Sequence, residues 1–134
     1  MTAIEISGID HVVLRTRVIE DSLRFYCDVL GCREERRVES IGLIQLRAGR
    51  SLVDLIDAAD DPASGAPNMD HFALGVETFD ADAIRAHLRA HGVDMVKVAT
   101  RYGAEEGQGP SIYIKDPDGN TVEIKGPPDG RSGP

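Results

Sequence analysis

The chain has 134 residues, enough for one compact domain that buries a core without disulfide or metal staples. Fifteen Lys and Arg against 23 Asp and Glu give a formal charge of −8, which repels a phosphate backbone over most of the surface and argues against nucleic acid as a partner. No stretch approaches the roughly 20 apolar residues of a membrane span, and the opening MTAIEISGID lacks the basic start and apolar run of a signal peptide, so the cytoplasm is the expected compartment and no membrane partner is expected.

Read in chain order, the sequence carries a faint internal repeat. Asp10-His11 opens an apolar strand, followed by a helix with Leu23, Tyr26 and Leu30 on one face and a closing Gly31. Cys27 and Cys32, the only thiols, fall near the end of this helix without a CxxC spacing and are expected to be reduced and structural. The mixed run Arg33, Glu34, Glu35, Arg36, Arg37 reads as a solvated strand or loop. IGLIQLRAG and SLVDLID then alternate with period two, as meander strands do. DAADDPASGAPN has no periodicity and reads as a linker.

Asp70-His71 restarts the series with FALGV, a helix with Ile84 and Leu88 on one side, and Gly92. The two histidines are 60 positions apart and the two glycines 61, both glycines suiting the left-handed residue just past a helix end. His87 and His91 belong to this second helix, where they face solvent or complement its dipole. ATRYGAEEGQGP reads as an irregular stretch, either a flap over a site or an inert surface loop. SIYIKD and TVEIK form a hairpin around Asp116-Pro117-Asp118-Gly119-Asn120, where Pro presets φ and Gly accepts a positive φ. The tail from residue 127 to 134 is expected to be disordered. The expected organisation is α+β, with two tandem βαβββ modules over residues 8–57 and 69–126 and a linker over 58–68.

Strand alternation then says which way the polar residues point. His11 is followed by Val12 and Leu14 on the opposite face, Asp54 lies between Val53 and Leu55, His71 precedes Phe72 and Leu74, and Glu123 lies between Val122 and Ile124. In each strand the apolar set can cover a helix while the polar residue faces away. Each module thus offers a His on its first strand and a carboxylate on its last. A pseudo-two-fold pairing brings two imidazoles and one or two carboxylates to one divalent metal, which suits Ni, Zn, Mn, Co or Fe and excludes a soft thiolate site. Taken singly, a strand His beside an Asp is more often a hydrogen-bonded structural residue, and Glu123 alone reads equally as a surface acid opposite Lys115 or Lys125. Asp54, one methylene shorter than Glu, binds the metal, binds it through a water, or holds His11.

The carriers IDHVVLRT, LRFYCDVLG, SLVDLID, MDHFALGV and YIKDPDGNTVEI make the chain resemble, over residues 8–126, the vicinal-oxygen-chelate superfamily of glyoxalase I, fosfomycin-resistance transferases, bleomycin-binding proteins and extradiol dioxygenases. The resemblance implies curved mixed sheets around a metal-binding groove, the glyoxalase-like fold. It implies metal ligation by His11, His71 and Glu123, with Asp54 standing where glyoxalase I has a fourth-strand Glu. It also implies a homodimer, some relatives assembling each site from two chains. The expected activity is that of a glyoxalase I-like isomerase or lyase (lactoylglutathione lyase type) acting on a small substrate with neighbouring oxygens, with Glu123 or Asp54 moving the proton. Arg15 matches an arginine that contacts the glutathione moiety in bacterial glyoxalase I, whereas Ala58 stands where an Asn completes that contact; a glutathione or other thiol adduct is the implied substrate type. Tyr113 is taken as a second substrate-binding residue. The rival readings are an extradiol-type dioxygenase, from the two-His-one-carboxylate set, and a non-catalytic antibiotic-binding dimer of the bleomycin resistance type. Thiol transfer to an epoxide antibiotic would need a potassium site and a phosphonate-binding pattern, which the sequence does not display.

Overall fold

The computed structural model describes residues 9–60, 69, 71–105 and 107–129. The chain divides into two compact units, Met1–Pro62 and Ala63–Pro134. In the first, β1 (His11–Thr16) leads into α1 (Ile19–Leu23), and β2 (Arg33–Val38), β3 (Leu43–Ala48) and β4 (Ser51–Asp57) follow. The second runs β5 (Phe72–Gly75), α2 (Ala81–Ala90), β6 (Met95–Tyr102), β7 (Gln108–Lys115) and β8 (Thr121–Lys125). The strand orders are β1-β4-β3-β2 and β5-β8-β7-β6, so each sheet is mixed, with its first and last strands parallel and the other pairs antiparallel. This is the tandem βαβββ architecture expected from the repeat. Among the described residues no helix is long and apolar enough to cross a membrane.

The opposite-face residues form the cores. Leu14, Ile44, Leu46, Val53 and Leu55 are buried in the first unit, and Ile112, Ile114, Val122 and Ile124 in the second. Full burial of such a side chain contributes about 1.5–3 kcal/mol, which fixes the alternation against slippage. The first helix departs from the expected face. After α1 the chain widens into a π-helical segment, Arg24–Val29, in which Leu30 N donates to Phe25 O at 3.1 Å across five residues. The wider turn places neighbouring Phe25 and Tyr26 in the core together, their rings edge to face at 5.0 Å, while Leu23 and Leu30 are only half-buried. Gly31 (φ 81°) and Gly92 (φ 70°) close the two helical segments in the left-handed region, as expected.

Two readings are corrected. The stretch 99–110, read as irregular, is largely strand: β6 runs to Tyr102 and β7 starts at Gln108, so the connection is a hairpin turn. The tail is ordered as far as Asp129, because Gly126 N donates to Pro110 O at 2.8 Å and Asp129 N to Gln108 O at 3.1 Å, continuing the pairing along β7. Residues 130–134, and most of the expected linker, lie outside the described residues. The charged run Arg33–Arg37 is an exposed strand whose acids are paired, Glu34 with Arg37 and Glu35 with Arg47.

The turn before β8 is held by one buried side chain. Asp116 Oδ1 accepts from Asp118 N (2.9 Å) and Asn120 N (2.7 Å), and Oδ2 accepts from Asn120 Nδ2 (2.8 Å). Asp116→Ala leaves these donors unsatisfied and should lower stability by on the order of 2 kcal/mol in urea unfolding, whereas a substitution at an exposed position such as Arg85→Ala should cost far less. Both cysteines are free, and burial pushes the Cys32 thiol up to about 11. Iodoacetamide near neutral pH should therefore leave Cys32 unmodified in the folded protein and label it after denaturation; rapid native labelling would contradict the buried, protonated assignment.

Candidate metal centre

In the second unit the site is built on the face opposite the core. Register pairs Ala73 with Glu123, Tyr113 with Glu123 and Lys97 with Tyr113, so these side chains point to the same side of four adjacent strands. His71 lies just before β5, two residues from Ala73, and its Nε2 is 3.1 Å from Glu123 Oε1. The other carboxylate oxygen accepts from Ser111 Oγ at 2.6 Å. Glu123 is 5% exposed, and both of its oxygens have partners: one faces an imidazole, the other a buried hydroxyl. Tyr113 stacks its edge against His71 at 5.6 Å, and its hydroxyl lies between Arg101 and Glu123. Burial is the main cause that raises the Tyr113 phenol above its ordinary range.

The first unit repeats the arrangement by register. His11 pairs with Leu52 and Val13 with Asp54, so Asp54 stands two residues beyond the position opposite His11, as Glu123 stands beyond the position opposite His71. Asp54 is 3% exposed; its Oδ2 accepts from Gln45 Nε2 at 3.2 Å, and its Oδ1 is buried with no hydrogen-bond partner. His11 Nδ1 contacts Asp10 Oδ2 at 2.8 Å, an exposed contact that raises the imidazole pKa and leaves Nε2 as the open ring nitrogen. Arg15 shares this face, opposite Ile56, and Ala58 is buried with its N–H on Thr16 O.

These observations fit a divalent cation. Two cis ligands held about 2.1 Å from one ion at a right angle are about 3 Å apart, the separation of His71 Nε2 and Glu123 Oε1. A buried carboxylate oxygen without a donor, as on Asp54, is what a cation or its bound water would satisfy. Within either unit, among the described residues, no three His, Cys, Asp or Glu side chains gather as one ligand group. The second unit brings His71 and Glu123 into contact, whereas in the first the strand register sets Asp54 diagonally across from His11. Lys115 bonds Thr121 and Lys125 bonds Gly126 O, so the surface ion pair offered as an alternative role for Glu123 is not formed. His87 and His91 contact each other, ring centroids 4.7 Å apart, on the exposed side of α2.

Sequence reasoning missed four residues: Gln45, Ser111, Lys97 and Arg101. Ser111 shares strand parity with Tyr113, and Gln45 stands opposite Asp54 on the neighbouring strand; both needed the register to be found. Lys97 and Arg101 were missed because β6 was not read as a strand. Ser111→Ala removes the hydroxyl donor from a buried carboxylate and should cost on the order of 2 kcal/mol in denaturant unfolding; a change below a few tenths would show that Glu123 is not held this way.

A family model described as the Glyoxalase/Bleomycin resistance protein/Dioxygenase superfamily matches residues 8–124. Virulence protein STM3117 of Salmonella typhimurium is 29% identical over 124 residues, 89% of this chain and 83% of the relative. Its crystal structure superposes with a TM-score of 0.72, covering 92% of this chain and 98% of that one. An integron cassette protein from the mobile metagenome of V. cholerae is 27% identical, with a TM-score of 0.72 over 93% of this chain and 98% of its own. A lactoylglutathione lyase from Agrobacterium tumefaciens, 24% identical with a TM-score of 0.68 over 91% and 95% of the two chains, shares the fold. With the matched region spanning both βαβββ units, the chain belongs to the Glyoxalase/Bleomycin resistance protein/Dioxygenase superfamily.

Proposed function

We propose that the chain is a divalent-metal-dependent enzyme of glyoxalase I type, in which His11, His71 and Glu123 are ligands of one ion and Asp54 completes the site. The observation that carries this reading is the register equivalence of the two histidine–carboxylate pairs, each with its acid buried on the face opposite the core. Ni, Zn, Mn, Co and Fe are the ions such a nitrogen and oxygen set favours. When bound, the metal supplies Lewis-acid stabilisation of neighbouring substrate oxygens as negative charge develops on them.

The chain's own groups divide the remaining work. Glu123, gripped by Ser111 and facing His71, has neither oxygen idle and serves as the positioned ligand. Asp54 has one oxygen already steadied by Gln45 and another without a partner, so Oδ1 is the lone pair available to take a proton from a carbon and return it to the carbon next to it. That 1,2-proton transfer, with the hydroxyl proton passing between the two neighbouring oxygens, converts the hemithioacetal of a 2-oxoaldehyde to a 2-hydroxyacyl thioester with no net loss or gain of atoms. The substrate class is a small adduct with adjacent oxygens, formed by glutathione or another thiol, with Arg15 and Tyr113 as its contacts; a homodimeric assembly belongs to the same reading.

The test is metal content and hemithioacetal isomerisation on purified protein and variants. Glu123→Ala and His71→Ala should lose both bound metal and activity, while Asp54→Asn should keep the metal and lose about 10²- to 10⁴-fold in kcat. Full metal retention in Glu123→Ala, or a metal-loaded wild type inert toward hemithioacetals of both glutathione and simpler thiols, would sink the reading.

A further inference from the structure

Helix α2 carries a pair of histidines that the proposed function does not use. His87 and His91 are four residues apart, one helical turn, so their side chains rise from the same face. Both are exposed, and their ring centroids are 4.7 Å apart. Two imidazoles on one ion, each nitrogen about 2.1 Å from the metal and each ring centre about 1.1 Å further out, have centroids roughly 4.5–5.3 Å apart for bond angles of about 90–110°. The resting separation falls inside the range that a shared cation requires.

The backbone beneath the pair is fixed. Leu88, one residue after His87, is 1% exposed and pins this turn of the helix. His91 N donates to His87 O at 3.2 Å, which keeps the turn between the two rings closed. Beyond it Gly92 bends the chain at φ 70°, and Val93 N returns to Leu88 O at 2.9 Å. Main chain that is ordered before an ion arrives lowers the entropic cost of chelation.

Charge also favours a cation here. The pair occupies the last turn of α2, at the negative end of the helix dipole. As imidazolium ions, two rings this close would repel each other, so complementing the dipole by protonation does not account for their contact. One dication bound to both neutral rings complements the dipole without that repulsion. Arg89 is two residues from each histidine and Arg85 two from His87, spacings that set both guanidiniums on the other side of the helix. Ala83 and Ala90, exposed neighbours with small side chains, leave the approach open, and the formal charge of −8 gathers cations near the surface.

We propose that His87 and His91 form a surface chelate site that takes one borderline transition-metal dication through two imidazole nitrogens, with Cu²⁺ preferred and water in the remaining positions. The stability order of such ions places Co²⁺ well below Cu²⁺ at a nitrogen pair of this kind. The site shares no residue with His11, His71, Glu123 or Asp54, and it stands independently of the function proposed above.

The test is a titration of the full-length protein with Cu²⁺, followed by amide NMR, in which paramagnetic broadening is read residue by residue and this site is therefore seen apart from any other. Saturable broadening is expected around His87 and His91. His87→Ala and His91→Ala are each expected to weaken binding there by about ten-fold or more, because the second nitrogen otherwise binds at the high effective concentration of an intramolecular step. A His91→Ala/Arg89→His variant keeps two histidines on the helix, now two residues apart and off a common face. It is expected to bind no better than His91→Ala, although it has also lost a positive charge. All of these changes are at exposed positions, and the rest of the spectrum reports whether the fold is retained. No saturable broadening around the pair, single variants that bind as tightly as the wild type, or wild-type affinity in the shifted pair overturns the proposal.

Discussion

Each sheet joins its first and last strands in parallel, and that pairing is the constraint from which the site follows. Its register sets the carboxylate of the last strand diagonally across from the histidine that opens the first, Asp54 relative to His11 and Glu123 relative to His71. A slip of one residue would turn both acids into the core and set Val53, Leu55, Val122 and Ile124 facing outward, an exchange of several fully buried aliphatic side chains against two charges. Core packing on one face thereby fixes the chemistry on the other. The turn held by Asp116 serves the same end, because it sets where β8 begins and hence where Glu123 stands.

The two carboxylates are equivalent in register and unlike in surroundings. Glu123 has a hydroxyl donor and an imidazole on separate oxygens; Asp54 has an amide on one and nothing on the other. In the proposed function these unlike surroundings give Glu123 the holding role and leave Asp54 to exchange the proton.

Much of this was readable from sequence because two signals agreed: the spaced Asp-His repeat and the alternation of Val, Leu and Ile around a single polar residue. The π-helical widening after α1 was not readable, since a run such as RFYCDV carries no sign of one extra residue per turn, and it moved Phe25 into the core where Leu23 and Leu30 had been expected to dominate. Strand β6 was hidden by Lys97, Arg101 and the glycines after Tyr102, and with it went both cations of the site face. β2 was equally ambiguous: REERRV forms an exposed edge strand with one ion pair across to β3, Glu35 with Arg47, and one within itself, Glu34 with Arg37. Ser111 and Gln45 illustrate the remaining gap, for parity gives a residue's face but only register gives its neighbour.

The proposed function has His11, His71 and Glu123 serve a single cation. Calorimetric titration of the metal-free protein with Co²⁺ measures this most directly. The account predicts one tightly bound ion per chain, with His11→Ala and His71→Ala each abolishing tight binding. Two independent ions per chain, or one ion whose affinity is untouched by loss of either histidine, would contradict it.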